Sequence, residues 1–132
     1  MEVVTSRVLL RPVDHQATLH FYREALDLPV VREFGPARSP GVVFQLGTGQ
    51  LEISGSREAG PSTLVLWLQV RDVPAELHRL QHLGVPVTRE ARTEPWGLVE
   101  GWIRDPDGSR IVLVQIPAEH PLRRDQRGIP GS

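Results

Sequence analysis

The feature that most restricts the fold is an internal repeat of strand, helix and three further strands. In the first copy, residues 3–13 place β-branched and aliphatic side chains in near alternation up to Pro12 and read as a strand. Asp14 then caps a helix over 15–26, with Leu19, Tyr22 or Arg23, and Leu26 at helical spacing and Phe21 and Ala25 widening the apolar stripe. Strands follow at 28–34, 41–47 and 50–55, separated by a breaker-rich loop at 35–40 and a Gly-Thr-Gly turn. The second copy predicts a strand at 63–70, a helix opened by Asp72 or Val73 and running through Leu83, and strands at 85–90, 98–104 and 110–116. Asp14 maps onto Asp72 (72 − 14 = 58), and Leu26-Asp27-Leu28-Pro29-Val30 onto Leu83-Gly84-Val85-Pro86-Val87 (83 − 26 = 57). Leu51-Glu52-Ile53 maps onto Ile111-Val112-Leu113 (111 − 51 = 60). Two copies at a period near 58 do not make a stacked solenoid, so an α+β fold of two βαβββ halves sharing a sheet layer is expected. The modules fall at about 3–56 and 62–116 of a single domain at 1–117, and the polar, Arg-rich residues 118–132 read as a flexible tail.

A chain of 132 residues has room for one domain and a real core. Fifteen basic and sixteen acidic residues leave a net charge of -1, which offers no long-range attraction to nucleic acid or anionic lipid. Cysteine is absent, removing disulfides, thiolate metal sites and cysteine nucleophiles together. Every basic residue is Arg, so Schiff-base lysine chemistry is excluded as well. No apolar run approaches the roughly 20 residues of a membrane span, and the N-terminus lacks a signal-like pattern, so a cytoplasmic protein is expected.

The paired halves, with Phe21-Tyr22 followed by Leu26-Asp27-Leu28, Trp96-Gly97, and Asp105-Pro106-Asp107-Gly108 before the last apolar strand, resemble the glyoxalase/bleomycin-resistance/dioxygenase superfamily over residues 6–115. The Asp-Pro-Asp-Gly segment alone is only a good hairpin turn; its position in the order of elements gives it weight. The resemblance implies a curved, mixed, mostly antiparallel sheet with helices outside, a concave ligand pocket inside, and usually a homodimer.

Strand alternation divides each sheet into two faces, and the uniformly apolar one belongs under the helix. Val8 and Leu10 then face the helix while Arg7, Leu9 and Arg11 face the other way. By the same parity Leu64, Leu66, Leu68 and Val70 leave Val65, Trp67 and Gln69 on the ligand side. Glu52, flanked by Leu51 and Ile53, also points there, as do Arg110, Val112 and Val114. In metal-dependent relatives the ligands, typically His or Glu, come from the first and last strands of each module, positions that carry Arg7, Glu52, Val65 and Val112 in this chain. Arg repels a cation and Val has no lone pair, so neither a metal nor another cofactor is expected. An Arg7–Glu52 ion pair in the space relatives give to metal is one reading; the other has Arg7 reaching solvent and Glu52 ending a strand. His78 and His82, four apart on the second helix, share a face and could bind a metal. With no acidic partner in a His-Glu-x-x-His pattern and a place outside the Leu77, Leu80, Leu83 stripe, they read as a solvated face. His15 and His20 likewise lie outside the presumed pocket, and no Gly-x-Ser-x-Gly elbow or phosphate loop is present.

The positive signal comes from tryptophan. Trp67 has ligand-side parity, and by the resemblance Trp96 and Trp102 lie on the loop and strand that close the cup. Flat apolar walls suit a planar heteroaromatic ligand, with Arg7 and Arg11 available for a carboxylate or phenolate; core packing or a dimer contact would use the same rings. The resulting expectation is a metal-free protein that sequesters a planar aromatic antibiotic or related metabolite, with Arg7, Leu9, Arg11, Glu52, Trp67, Gln69, Trp96, Trp102 and Val112 lining the site and no catalytic residue. The alternative is a lyase, isomerase or dioxygenase using a metal or Glu52 as acid/base. A third reading is an interaction module whose cup is filled by its own side chains.

Overall fold

The structure is a computed structural model describing residues 1–122; the part of the expected tail at 123–132 lies outside the described residues. Its elements run β1 (Val8–Leu10), α1 (His15–His20) continuing into a wider π-helical turn (Phe21–Ala25), β2 (Val30–Phe34), β3 (Gly41–Leu46), β4 (Gly49–Ile53), β5 (Val65–Gln69), α2 (Val73–His82), β6 (Val87–Thr93), β7 (Val99–Arg104) and β8 (Arg110–Gln115). The expected order is therefore present twice. Among the described residues no helix is long and apolar enough to cross a membrane.

Two compact units divide the described residues: Met1–Leu64 with Asp105–Ser109, and Val65–Arg104 with 110–122. Each holds a four-stranded mixed sheet, in the orders β1-β4-β3-β2 and β5-β8-β7-β6. In each the first strand pairs parallel with the last, and the other two pairings are antiparallel. The ladder irregularities repeat too, with a shift between Val30 and Arg32 and another between Val87 and Arg89, again 57 apart.

The repeated sequence signals act through the same local physics in both copies. Asp14 Oδ1 accepts from the Ala17 N–H and Asp72 Oδ1 from the Ala75 N–H, both at 3.0 Å, so each carboxylate satisfies a donor that the helix start leaves open. After the helices the chain turns through a left-handed residue in each copy, Asp27 (φ 51°) and Gly84 (φ 85°). Asp is one of the few side chains that tolerates this conformation, which explains why Asp-Leu-Pro and Gly-Val-Pro serve the same turn.

One expected boundary is corrected. The first strand is three residues long instead of spanning 3–13. Its register, Val8 opposite Leu51, would set residues 3–5 against the turn at 46–48, where no ladder exists, and Pro12 has no N–H to extend it at the other end. Val8 also departs from its expected place under the helix. It lies on the edge strand and is 46% exposed, while α1 packs on the adjacent β4.

In the second unit Val73, Leu77 and Leu80 of α2 are buried, and the helix approaches β7 at Gly101, where a Cβ would stand 2.5 Å from Leu77 Cδ1. Beneath them Leu66, Ile103, Ile111 and Leu113 make the apolar face. The first unit's counterpart is Leu10, Val42, Phe44, Leu51 and Ile53, with Tyr22 edge-on to Phe21 and tilted over Phe44.

Tyr22 is fully buried, and its hydroxyl donates to Asp105 Oδ2 at 2.6 Å. Asp105 Oδ1 accepts the N–H groups of Asp107 and Ser109, closing the Asp-Pro-Asp-Gly turn on itself. Asp107 in turn accepts from the Val13 N–H and from Arg57, whose guanidinium also donates to the carbonyls of Arg11 and Gly60. Burial and the Asp105 carboxylate push the Tyr22 phenol far above its ordinary pKa, so it remains a donor. Replacing Tyr22 with Phe removes a bond to a charged group and leaves a lone pair unanswered in the interior. The expected loss is about 1.5–3 kcal/mol in urea or thermal unfolding, with the fold retained.

Candidate functional site

The face of each sheet turned away from its helix carries the candidate charged groups and, in the second unit, Trp67 and Trp102. In the first unit, Leu9 opposite Glu52 and Val43 opposite Glu52 define that face, and Arg7 and Arg11 continue its alternation beyond the strand. Glu52 is 8% exposed. Its Oε1 accepts from Arg7 Nη1 at 2.9 Å, and its Oε2 from the Ser54 hydroxyl at 2.6 Å. The expected ion pair is therefore present, with Arg7 about one third exposed, and Ser54 is a partner that sequence spacing did not single out. The Ser54 hydrogen bond and, against the cost of burial, Arg7 and Arg11 hold the carboxyl below its ordinary value of 4.5. Leu9, half exposed, and Arg11, exposed, flank the pair on this face.

In the second unit the register collects Val65, Trp67 and Gln69 of β5, Arg110, Val112 and Val114 of β8, and Glu100, Trp102 and Arg104 of β7 on one face, as parity anticipates. Trp67 is 51% and Val65 58% exposed, an apolar surface that this unit leaves open to solvent. Trp102 is half-buried and gripped from the strands on either side. The guanidinium carbon of Arg89 lies 4.4 Å, and that of Arg110 4.6 Å, from its ring centre. Arg89 is paired with Glu94, a carboxylate 3% exposed that also accepts from Arg92 Nε at 3.2 Å. Trp96, in the 94–97 turn, is 57% exposed and donates its indole N–H to Glu100 Oε2 at 2.8 Å. Its carbonyl meets the His120 ring at 2.9 Å.

Sequence reasoning missed Arg89, Glu94 and Glu100. Alternation could have found Glu100, two before Trp102; Glu94 and Arg89 sit where a loop and a strand irregularity break the period. His15 ties two loops to the start of α1. It is 9% exposed, with its two ring nitrogens 3.0 and 2.8 Å from the carbonyls of Gly55 and Pro40.

The positions at which metal-dependent relatives would ligate fit a divalent ion poorly. Of Arg7, Glu52, Val65 and Val112 only Glu52 offers oxygen, and both its oxygens already accept hydrogen bonds. Among the described residues no group of three or more His, Asp or Glu is placed to hold a metal.

The lowered pKa of Glu52 has a definite sign in stability. The charged form is favoured in the folded state, so its contribution is complete above about pH 5 and disappears as the pH falls below 4.5 and through the lowered value. Glu52→Gln is expected to cost about 1–3 kcal/mol at pH 7, with the gap to the wild type narrowing towards pH 3, measured by urea unfolding at both pH values.

The family model for the Glyoxalase/Bleomycin resistance protein/Dioxygenase superfamily matches residues 5–113. No curated protein matches the sequence. Among solved structures the chain is similar to TnmS3, an antibiotic binding protein from Streptomyces sp. CB03234, at 22% identity and TM-score 0.73, covering 88% of this chain and 98% of that one. It is also similar to a superfamily member from Sphaerobacter thermophilus DSM 20745 (21% identity, TM-score 0.70, 86% and 98% covered). A lactoylglutathione lyase from Agrobacterium tumefaciens has the same fold (20% identity, TM-score 0.67, 87% and 94% covered). With both βαβββ copies in place and the family match running through nearly all of them, the chain belongs to the Glyoxalase/Bleomycin resistance protein/Dioxygenase superfamily.

Proposed function

We propose that this protein is a metal-free binding protein that sequesters a planar aromatic small molecule, such as an antibiotic, and works as a homodimer in the cytoplasm. The observation that carries the reading is the open aromatic face of the second unit. Trp67 stands half exposed beside Val112, with Trp102 on the next strand but one. A stacked ring gains about 0.5–1.5 kcal/mol beyond the area it buries, and Gln69 and Arg110 on the same face suit a ligand with oxygen substituents. Trp102 Nε1 and Arg89 Nε are shielded from solvent and lack an acceptor among the described residues, so a ligand oxygen admitted by movement of these side chains would satisfy them. The exposed Trp96 is a third aromatic contact in this proposal. On the first unit, Leu9, Arg11 and the Arg7–Glu52 pair are ligand-facing groups in their own right.

Two further observations favour binding over catalysis. Glu52 is held as a carboxylate by Ser54 and Arg7, which makes it a weak base near neutrality. At the remaining positions where relatives ligate metal, the side chains are aliphatic or cationic. The solved structure of TnmS3, described as an antibiotic binding protein, supports the same reading by its likeness in fold.

Titration with planar heteroaromatic antibiotics is expected to quench tryptophan fluorescence for at least one compound, with Trp67→Ala lowering that affinity about tenfold, equivalent to about 1.4 kcal/mol. No quenching by any member of a broad panel overturns the proposal. Each unit by itself leaves an apolar edge strand open, with Val8 and Leu9 exposed on β1 and Val65 on β5, and such edges suit self-association. Sedimentation equilibrium is expected to give twice the chain mass at micromolar concentration, and a monomer mass would remove the dimer from the reading.

A further inference from the structure

We infer that His78 and His82 on the solvent face of α2 form a binding site for a borderline divalent cation such as Zn²⁺, Ni²⁺ or Cu²⁺. Spacing alone says only that the two imidazoles share a helix face. The structure adds their rotamers, which bring the two Nε2 atoms to 3.2 Å, with ring centres 4.6 Å apart and planes at 78°. Metal–imidazole bonds are about 2.0–2.1 Å, so two ligands on one ion stand about 2.9 Å apart at a right angle and about 3.3 Å apart at the tetrahedral angle. The observed separation lies between these values. Chelation then needs only rotation of the rings and a change of tautomer, so that both Nε2 lone pairs meet at one point and both protons sit on Nδ1.

The contact between the two rings is otherwise a weak one. Both residues are exposed, so water competes for each nitrogen, and no buried group holds the pair together. The surroundings accept a cation. His82 is the last residue of α2, where the helix dipole presents its negative end. Arg79, three residues before His82, has its charge offset by Glu76, to which it donates at 3.0 and 3.1 Å. Two imidazoles leave the other coordination positions to water or to an incoming ligand, so the site is open. It lies opposite the buried Val73, Leu77 and Leu80, and occupation leaves the core undisturbed.

The test uses the full chain purified without a polyhistidine tag. Zn²⁺ or Ni²⁺ at ten times its dissociation constant is expected to raise the melting midpoint by about 3–6 °C, saturably, because a ligand of the folded state stabilises it by mass action. His78→Asn and His82→Asn should each weaken the metal at least tenfold without changing the midpoint of the metal-free protein. A second readout is NMR, in which substoichiometric Cu²⁺ should broaden the ring signals of these two histidines before those of His15, His20 and His120. An absent response up to millimolar metal, an undiminished response in the double variant, or earlier broadening at another histidine overturns the inference.

Discussion

Alternation along a strand is the constraint from which the rest of this structure follows. Successive side chains point to opposite faces, and among the described residues a helix packs on one face of each sheet. Leu51 and Ile53 of β4, Leu66 and Leu68 of β5, and Ile111 and Leu113 of β8 answer to the helix. The positions between them, Glu52, Trp67 and Val112, are released from that packing and can be chemically specialised. The same strand thus carries two sets of side chains in different surroundings. A slip of one position would exchange the two sets, which is why the register is so firmly specified where one face is apolar.

The released face is organised by arginine. A chain without lysine places planar guanidinium groups where geometry matters: Arg7 on Glu52 and Arg89 and Arg110 on the indole of Trp102, while in the loop between β4 and β5 Arg57 holds Asp107 and two backbone carbonyls in the same way. An ammonium could supply the charge of these contacts but not the flat stacking surface or the several donors fixed in one plane. In the first unit the consequence is a carboxylate held ionised and occupied. In the second it is a tryptophan clamped at the centre of its face while Trp67, on the edge strand, keeps about half of its surface open.

Much of the fold was legible from short-range signals because those signals are local in origin. An Asp before a helix, a residue tolerant of positive φ after it, and period-two apolar runs each act within a few residues, and both copies obey them. The first strand was overestimated because its ends depend on a distant partner, the turn before β4, which alternation does not reveal. The aromatic and charged members of the candidate faces were also legible wherever they kept the strand period. Ser54 and Glu94 were not, since their roles depend on a side chain reaching across a strand end or out of a turn.

From the chain alone came the doubled βαβββ order and the division of each sheet into two faces of different character. Both are properties of residue type and spacing, which need no contact to be defined. Only the tertiary structure decided which charges meet, that both Glu52 oxygens are already engaged, and that Trp102 is clamped while Trp67 is open. Those outcomes depend on rotamers and on contacts between residues up to 94 positions apart, as between Val13 and Asp107, which residue type and spacing do not fix.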